Sequence, residues 1–302
     1  MPATAERLPG PGGTLEVTWD AALSAAERTK LASWLERATR TVATLHGRLP
    51  RATIHVAVEA RRAAGEPVPF ARVVRHGRVG VHFWVDPGLP LAAFLTDWTA
   101  PHELTHLFIP YPGRTDVWLS EGLATYYQHL LQVRDGLLGE CAAWRRIAAG
   151  FARGTAALSG TTPPQSLAAA SRAMHASGGY MRVYWSGVAY FLEADLALRA
   201  GTPALRLDQV VQRFGTCCLE DPAIDDGAAL VAAFDRVAGT SLFVPLYHRY
   251  RALETMPDYT SLLARVGVRT NGDASGCAMD DVHAVATRRD VTLGRNAAPP
   301  AN

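Results

Sequence analysis

The segment His102-Glu103-Leu104-Thr105-His106, followed by Trp118-Leu119-Ser120-Glu121-Gly122, carries the residue types and spacing of a metal-dependent hydrolase. Residues four apart on a helix lie about 40° apart around its axis, so His102 and His106 can present both imidazoles to one ion. Catalytic zinc takes three protein ligands and leaves a fourth position to water, so one more donor is required, and Glu121 is the candidate. Glu103 directly follows the first ligand and is placed to take that water's proton; its bland alternative is a hydrogen-bond acceptor beside the ligands. An accidental HExxH string arises in roughly one or two of every hundred chains with this histidine content. A purely structural zinc site is disfavoured, because such sites close with four ligands rich in cysteine, and Cys141, Cys217, Cys218 and Cys277 show no CxxC spacing.

The elements around these residues must bring them together. Pro110, Pro112 and Gly113 stop the first helix one turn after His106, and a second helical pattern starts near Asp116, with Glu121 in its first turns. A helix, a turn and a second helix packed back on the first would deliver that carboxylate to the imidazoles. The metal helix is predicted over Leu91 to Ile109, with Pro101 at a first helical position or a kink. Upstream, Thr14 to Trp19 reads as a strand and Ser24 to His46 as an amphipathic helix capped by Ser24. Ile54, Val56 and Val58 alternate, Phe70 to Arg75 and Arg78 to Val85 flank a His76-Gly77 turn, and Val79, Val81, Phe83 and Val85 again alternate; the expectation is an antiparallel sheet. Its strand nearest the cleft could pair with an extended peptide. Beyond Glu121 nearly everything reads as helix.

The fold class expected is α+β, with an N-terminal antiparallel-sheet lobe and a mostly helical C-terminal lobe. The boundaries are 1–13, a flexible N-terminus; 14–109, the sheet-containing lobe ending in the metal helix; 110–268, the helical lobe; and 269–302, an irregular tail in which 297–302 reads as disordered.

Composition narrows the partners. With 30 Lys and Arg against 28 Asp and Glu, the formal charge of +2 is too balanced for an electrostatic nucleic-acid binder. No apolar run is long enough to span a membrane, and the first residues lack an export signal. The opening segment would equally suit the start of a processed exported protein, so the compartment stays open. The expected partner is a peptide or protein substrate, and the expected cofactor is one Zn²⁺ ion. An oxyanion formed during amide attack also needs a donor opposite the metal, for which Tyr180, Tyr184, His175 and His248 are available.

The ordered set of segments resembles the gluzincin metallopeptidases. The short gap before Glu121 is more similar to the glycyl aminopeptidase family than to the larger family of zinc aminopeptidases. Tyr184-Trp185-Ser186-Gly187, Asp195-Leu196-Ala197-Leu198-Arg199 and Leu207-Asp208-Gln209-Val210-Val211 resemble its YxKG, DLxLR and LDxVx segments in the same order. The resemblance covers roughly Leu91 to Val268. It implies that His102, His106 and Glu121 bind zinc, that Glu103 is the base, and that Tyr184 stabilises the tetrahedral intermediate. Ser186 replaces the family lysine, the glycine-rich Glu-His segment that engages a substrate amine is missing from Val79 to Pro90, and there is no room for the PDZ-like module. The resemblance implies a zincin of thermolysin-like fold, and the reading is a zinc-dependent metallopeptidase, a compact relative of that family. A zincin-fold protein that binds peptides or partners without turnover, or a metal-dependent amidohydrolase of non-peptide substrates, would use the same residues. Glu59, Glu66 and Asp86 are the acids that could close one end of the cleft around an amine.

Overall fold

The computed structural model of the chain describes residues 5–158, 164–269 and 282–294. The expected first strand is β2 (Gly13–Trp19), and the amphipathic helix follows as α1 (Ala25–Ala43). Ser24 caps α1 reciprocally: its hydroxyl accepts from the Glu27 N–H, and the Glu27 carboxylate accepts from the Ser24 N–H. The buried stripe of α1 includes Leu31, Trp34, Leu35, Ala38 and Val42. Trp34 meets Phe83 edge-on at 5.1 Å, which locks the helix onto the sheet.

The sheet is mixed, not antiparallel as expected. Crossing over through α1 returns the chain to its starting end, so β3 (Thr53–Ala60) runs parallel to β2. The chain then passes outward to β4 (Phe70–Val74), turns with Gly77 at φ 70°, and comes back as β5 (Gly80–Val85) between β3 and β4. β5 is parallel to β3 and antiparallel to β4. Alternation reports which face is buried, and Ile54, Val56, Val58, Val81, Phe83 and Val85 are buried. It carries no information on strand direction, which the connections decide. A second correction concerns the stretch expected to be flexible: β1 (Glu6–Gly10) pairs antiparallel with β2, and Gly12 at φ 66° makes the turn between them.

The helical stretch expected over Leu91 to Ile109, with Pro101 at a first helical position or a kink, is broken before Pro101. α2 (Leu91–Thr96) ends at Asp97, α3 (Thr99–Thr105) begins after Trp98, and a 3-10 turn over His106–Phe108 follows. Pro101 supplies the reason, since it has no N–H to give a carbonyl four residues back. Restarting the helix at Thr99 puts Pro101 in the first turn, where no such bond is needed. The Asp97 carboxylate accepts from the Thr99 N–H at 2.8 Å and helps the restart.

Two helices form the centre of the remainder: α4 (Val117–Arg134) and α7 (Tyr180–Ala200), both buried around most of their circumference. Around them lie α5 (Glu140–Ala156), α6 (Leu167–Ser177), α8 (Leu207–Cys217), α9 (Gly227–Ala238), α10 (Phe243–Ala252) and α11 (Tyr259–Arg265). Asp195 of α7 ties three of them, accepting from the Tyr126 hydroxyl at 2.9 Å and the Leu207 N–H at 2.8 Å. It also faces Arg199 at 3.1 Å. Asp208 does the same for Tyr127 and Arg134, at 2.8 and 3.0 Å. The tail expected to be irregular contains α12 (Val282–Leu293), a correction with a polar cause. Arg134 donates to the Thr292 carbonyl at 2.7 Å, and the Trp144 indole donates to the Thr292 hydroxyl at 2.9 Å. Cys217 and Cys218 are bonded to each other, and Cys141 is also disulfide-bonded. The tail segment expected to be disordered, 297–302, and the loop residues 161–163 lie outside the described residues.

α4 and α7 touch through backbone. A Cβ built on Gly122 would stand 2.4 Å from the Gly187 Cα, and one built on Gly187 would stand 2.1 Å from the Trp118 carbonyl oxygen. Glycine inside a helix costs about 1 kcal/mol relative to alanine, so its presence at both points serves the close approach. Gly122→Ala is expected to cost about 2 kcal/mol or more, because only backbone lies in the way. Gly215→Ala, in α8 with nothing within 4 Å of its added Cβ, is expected to stabilise by up to about 1 kcal/mol. Urea titration of the two variants reads the sign directly; a neutral Gly122→Ala would mean that the helices are not held at contact distance.

Candidate metal centre

Breaking at Trp98 and restarting at Thr99 turns α3 so that His102 and His106 face the first turns of α4. His102 Nε2 and His106 Nε2 lie 3.2 Å apart. Glu121 Oε2 lies 3.3 Å from the first and 3.5 Å from the second. A tetrahedral ion with ligands at about 2.0–2.1 Å holds its donors about 3.3–3.4 Å apart. The three side chains are therefore spaced as a zinc ion would need them, and they are the group among the described residues able to hold a metal.

Hydrogen bonds fix which nitrogen of His102 has a free lone pair. The chain starts at the Asp97 carbonyl, which can only accept, and takes the Gln132 amide N–H at 3.0 Å. Gln132 Oε1 must then accept from His129 Nδ1 at 3.2 Å, leaving His129 Nε2 to accept from the Gln128 amide at 3.1 Å. Burial pushes the His129 pKa down to about 4, so the ring is neutral and can play both parts. Gln128 Oε1 in turn accepts from His102 Nδ1 at 2.9 Å. His102 Nε2 is left with its lone pair aimed at His106 and Glu121. His106 is treated alike: its Nδ1 lies 2.9 Å from the Ser120 hydroxyl. Partners of this kind on the far nitrogen set the tautomer and ring orientation of metal-binding histidines.

Arg75, just after β4, ties the two helices at this point. Its guanidinium donates to the Ile109 carbonyl at 2.8 Å, the His106 carbonyl at 3.1 Å and the Ser120 hydroxyl at 3.4 Å. Burial lowers its pKa to about 10, which leaves it charged at neutral pH.

The charges respond to one another. For Glu121 burial favours the neutral acid, but the charge of His106 and the hydrogen bonds of both imidazoles outweigh it and hold the carboxyl well below its usual range. For His102 burial opposes the charged ring, yet the bond and charge of Glu121 and the charge of Glu103 raise its pKa above 6.5. Two imidazole nitrogens and a carboxylate oxygen thus converge on one point, an arrangement that suits a cation. Glu103 is half-buried beside the triad, and loss of solvent there raises its pKa against the pull of His106 and His102.

Tyr184 comes from α7, which the Gly122 and Gly187 contact holds against α4. Its ring is stacked on that of His102 at 5.9 Å, 16° from parallel. Burial, followed by the Glu121 carboxylate, raises the pKa of its hydroxyl far above 10, so it is a donor at any working pH. Of the other donors considered, Tyr180 packs edge-on against the Tyr184 ring at 6.3 Å, His175 is exposed and meets the Tyr180 hydroxyl at 3.4 Å, and His248 is exposed on α10. Ser186, at the family's lysine position, is buried against Met256 Sδ at 3.5 Å. Glu59 pairs with His82, Asp86 accepts from the Gly65 and Gly88 N–H groups, and Glu66 is exposed. Sequence reasoning missed Arg75, Ser120, Gln128 and His129. Gln128 had a signal, since it stands seven residues after Glu121 on the same helical face.

No known family profile matches the sequence, and no curated protein matches it significantly. Its fold does have solved counterparts. An aminopeptidase N family protein from Idiomarina loihiensis is similar over 88% of this chain and 49% of its own length, with TM-score 0.60 and 15% identity. Yeast LTA4 hydrolase is similar over 85% of this chain and 39% of its own, with TM-score 0.51 and 13% identity. A two-domain M1 zinc metallopeptidase solved with L-tryptophan bound is similar over 84% and 52%, with TM-score 0.50 and 18% identity. The chain spans about half or less of the length of these structures. The chain shares the fold of these structures.

Proposed function

We propose that the protein is a zinc-dependent metallopeptidase of thermolysin-like zincin type, in which His102, His106 and Glu121 hold the ion and Glu103 is the general base. The observation that carries this reading is the 3.2, 3.3 and 3.5 Å spacing of the three donors, matched to a tetrahedral zinc shell. When bound, zinc supplies Lewis acidity toward a carbonyl oxygen and toward a water molecule. Glu103 takes the proton of the attacking water, holds it on its carboxylate, and gives it to the leaving amine. Its burial suits this exchange, because a raised carboxyl pKa makes a stronger base. The Tyr184 hydroxyl donates to the carbonyl oxygen as negative charge grows there. The outer edge of β4 lies at the rim of the sheet beside α3 and can accept an extended peptide backbone.

Glu103→Gln is expected to keep zinc and lose about 10³-fold or more in peptide hydrolysis, read with a fluorogenic peptide, while His106→Ala loses the metal. Full turnover by Glu103→Gln would remove the proposed base. For Tyr184→Phe, the expected loss is about 10²–10³ in kcat with KM little changed, as for a donor used mainly in the transition state. A drop confined to KM would assign Tyr184 to substrate binding alone. Zinc affinity carries a pH signature as well: below the raised pKa of His102 the ring holds a proton that the metal must displace. Affinity should therefore fall about tenfold per pH unit as pH drops through that pKa. Competition with a chromophoric chelator between about pH 6 and 8 measures it, and a flat profile would contradict the ligand assignment.

A further inference from the structure

A cavity of about 930 Å³ opens beside the triad, and Tyr184 and Gln128 belong to both. None of His102, Glu103, His106 and Glu121 lines it, so it is a chamber adjoining the proposed chemistry. Part of its wall is apolar, from Ala93 of α2 and Met181 and Trp185 of α7.

Its charge is one-sided. α5 contributes Arg145, Arg146 and Arg153 to the wall. Arg145 and Arg153 are two helical turns apart, so they share one stripe, with Ala149 between them leaving room. Arg153 is held with its guanidinium 5.7 Å from the centre of the Trp185 ring, a cation–π contact that fixes it at the wall. Among the described residues the one acid that lines the cavity is Asp97, and its carboxylate accepts the Thr99 N–H at 2.8 Å. Burial also raises the Asp97 pKa, which works against its charge. An ammonium group entering this chamber would face three guanidinium groups, whereas a carboxylate would find planar, charged donors suited to it.

We propose that the arginine-lined cavity is the subsite for a negatively charged part of the substrate, so that the enzyme prefers peptides presenting a carboxylate beside the cleaved bond. The inference rests on the peptidase reading above and narrows it to a substrate class. The carboxylate can be an acidic side chain or the C-terminal α-carboxylate. Both offer the same chemistry to the guanidinium groups.

The test is calorimetric binding to the zinc-loaded Glu103→Gln protein, using hexapeptides of one parent sequence in three forms. The first carries Glu, stepped through each position, with an amidated C-terminus. The second carries Gln and a free C-terminus, and the third carries Gln and is amidated. A charged form is expected to bind about tenfold or more tightly than the neutral one, with the advantage shrinking as salt is raised. Whichever charged form wins identifies the carboxylate. In Arg146→Gln and Arg153→Gln the advantage is expected to collapse, and in Arg146→Glu a Lys peptide should gain on the Glu peptide. All three arginines are exposed, and equal zinc content and melting temperature verify that the variants are folded. Equal binding of all three forms, or a preference untouched by the arginine variants, would overturn the subsite. If the wild type cleaves no peptide while the charge preference persists, the peptidase reading fails and the subsite stands. Cleavage without charge preference reverses that outcome.

Discussion

The backbone contact between Gly122 of α4 and Gly187 of α7 is the constraint on which the site depends. Glu121 precedes one of these glycines, and Tyr184 stands one turn before the other. With any side chain at the crossing, α7 would have to withdraw from α4, and the Tyr184 ring would leave His102. The same logic recurs at Gly150 of α5, where an added Cβ would stand 1.9 Å from the Trp185 ring. Close approach of α5, α7 and α4 thus places the arginine wall, the tyrosine and the glutamate on neighbouring surfaces.

Polar contacts then set the chemistry inside that frame. The carbonyl of Asp97, in the break between α2 and α3, fixes the direction of every hydrogen bond from Gln132 through His129 and Gln128 to His102. Arg75 spans from the sheet to the 3-10 turn after α3 and to α4, so the segments that carry His106 and Glu121 are tied at the same place. Pro101 contributes indirectly, by enforcing the break that exposes the Asp97 carbonyl. These groups stand behind His102, and the direction of their hydrogen bonds sets its Nε2 lone pair, and not an N–H bond, toward the common centre.

How much of this was legible follows from the range of each interaction. The pairing of His102 with His106 and the arrival of Glu121 from the next helix are local patterns, readable from spacing. The Ser24 and Glu27 cap and the buried faces of β3 and β5 are local as well. Strand direction was not, because it depends on α1 crossing over and on β4 lying outside β5. The break before α3 was half visible in Pro101. The order of α12 depends on Arg134 and Trp144, both far away in sequence, so a helix with little apolar periodicity read as a tail. The roles of Gly122 and Gly187 exist only where two helices cross. Asp195 and Asp208, which lie in segments resembling the glycyl aminopeptidase family, tie α4, α7 and α8 together and do not touch the metal centre.

Anomalous diffraction at the zinc edge, from crystals grown with the metal, tests the central claim most directly. The account predicts one peak at full occupancy about 2.0–2.1 Å from His102 Nε2, His106 Nε2 and a Glu121 carboxylate oxygen. A peak elsewhere, or none from zinc-saturated crystals, would contradict it.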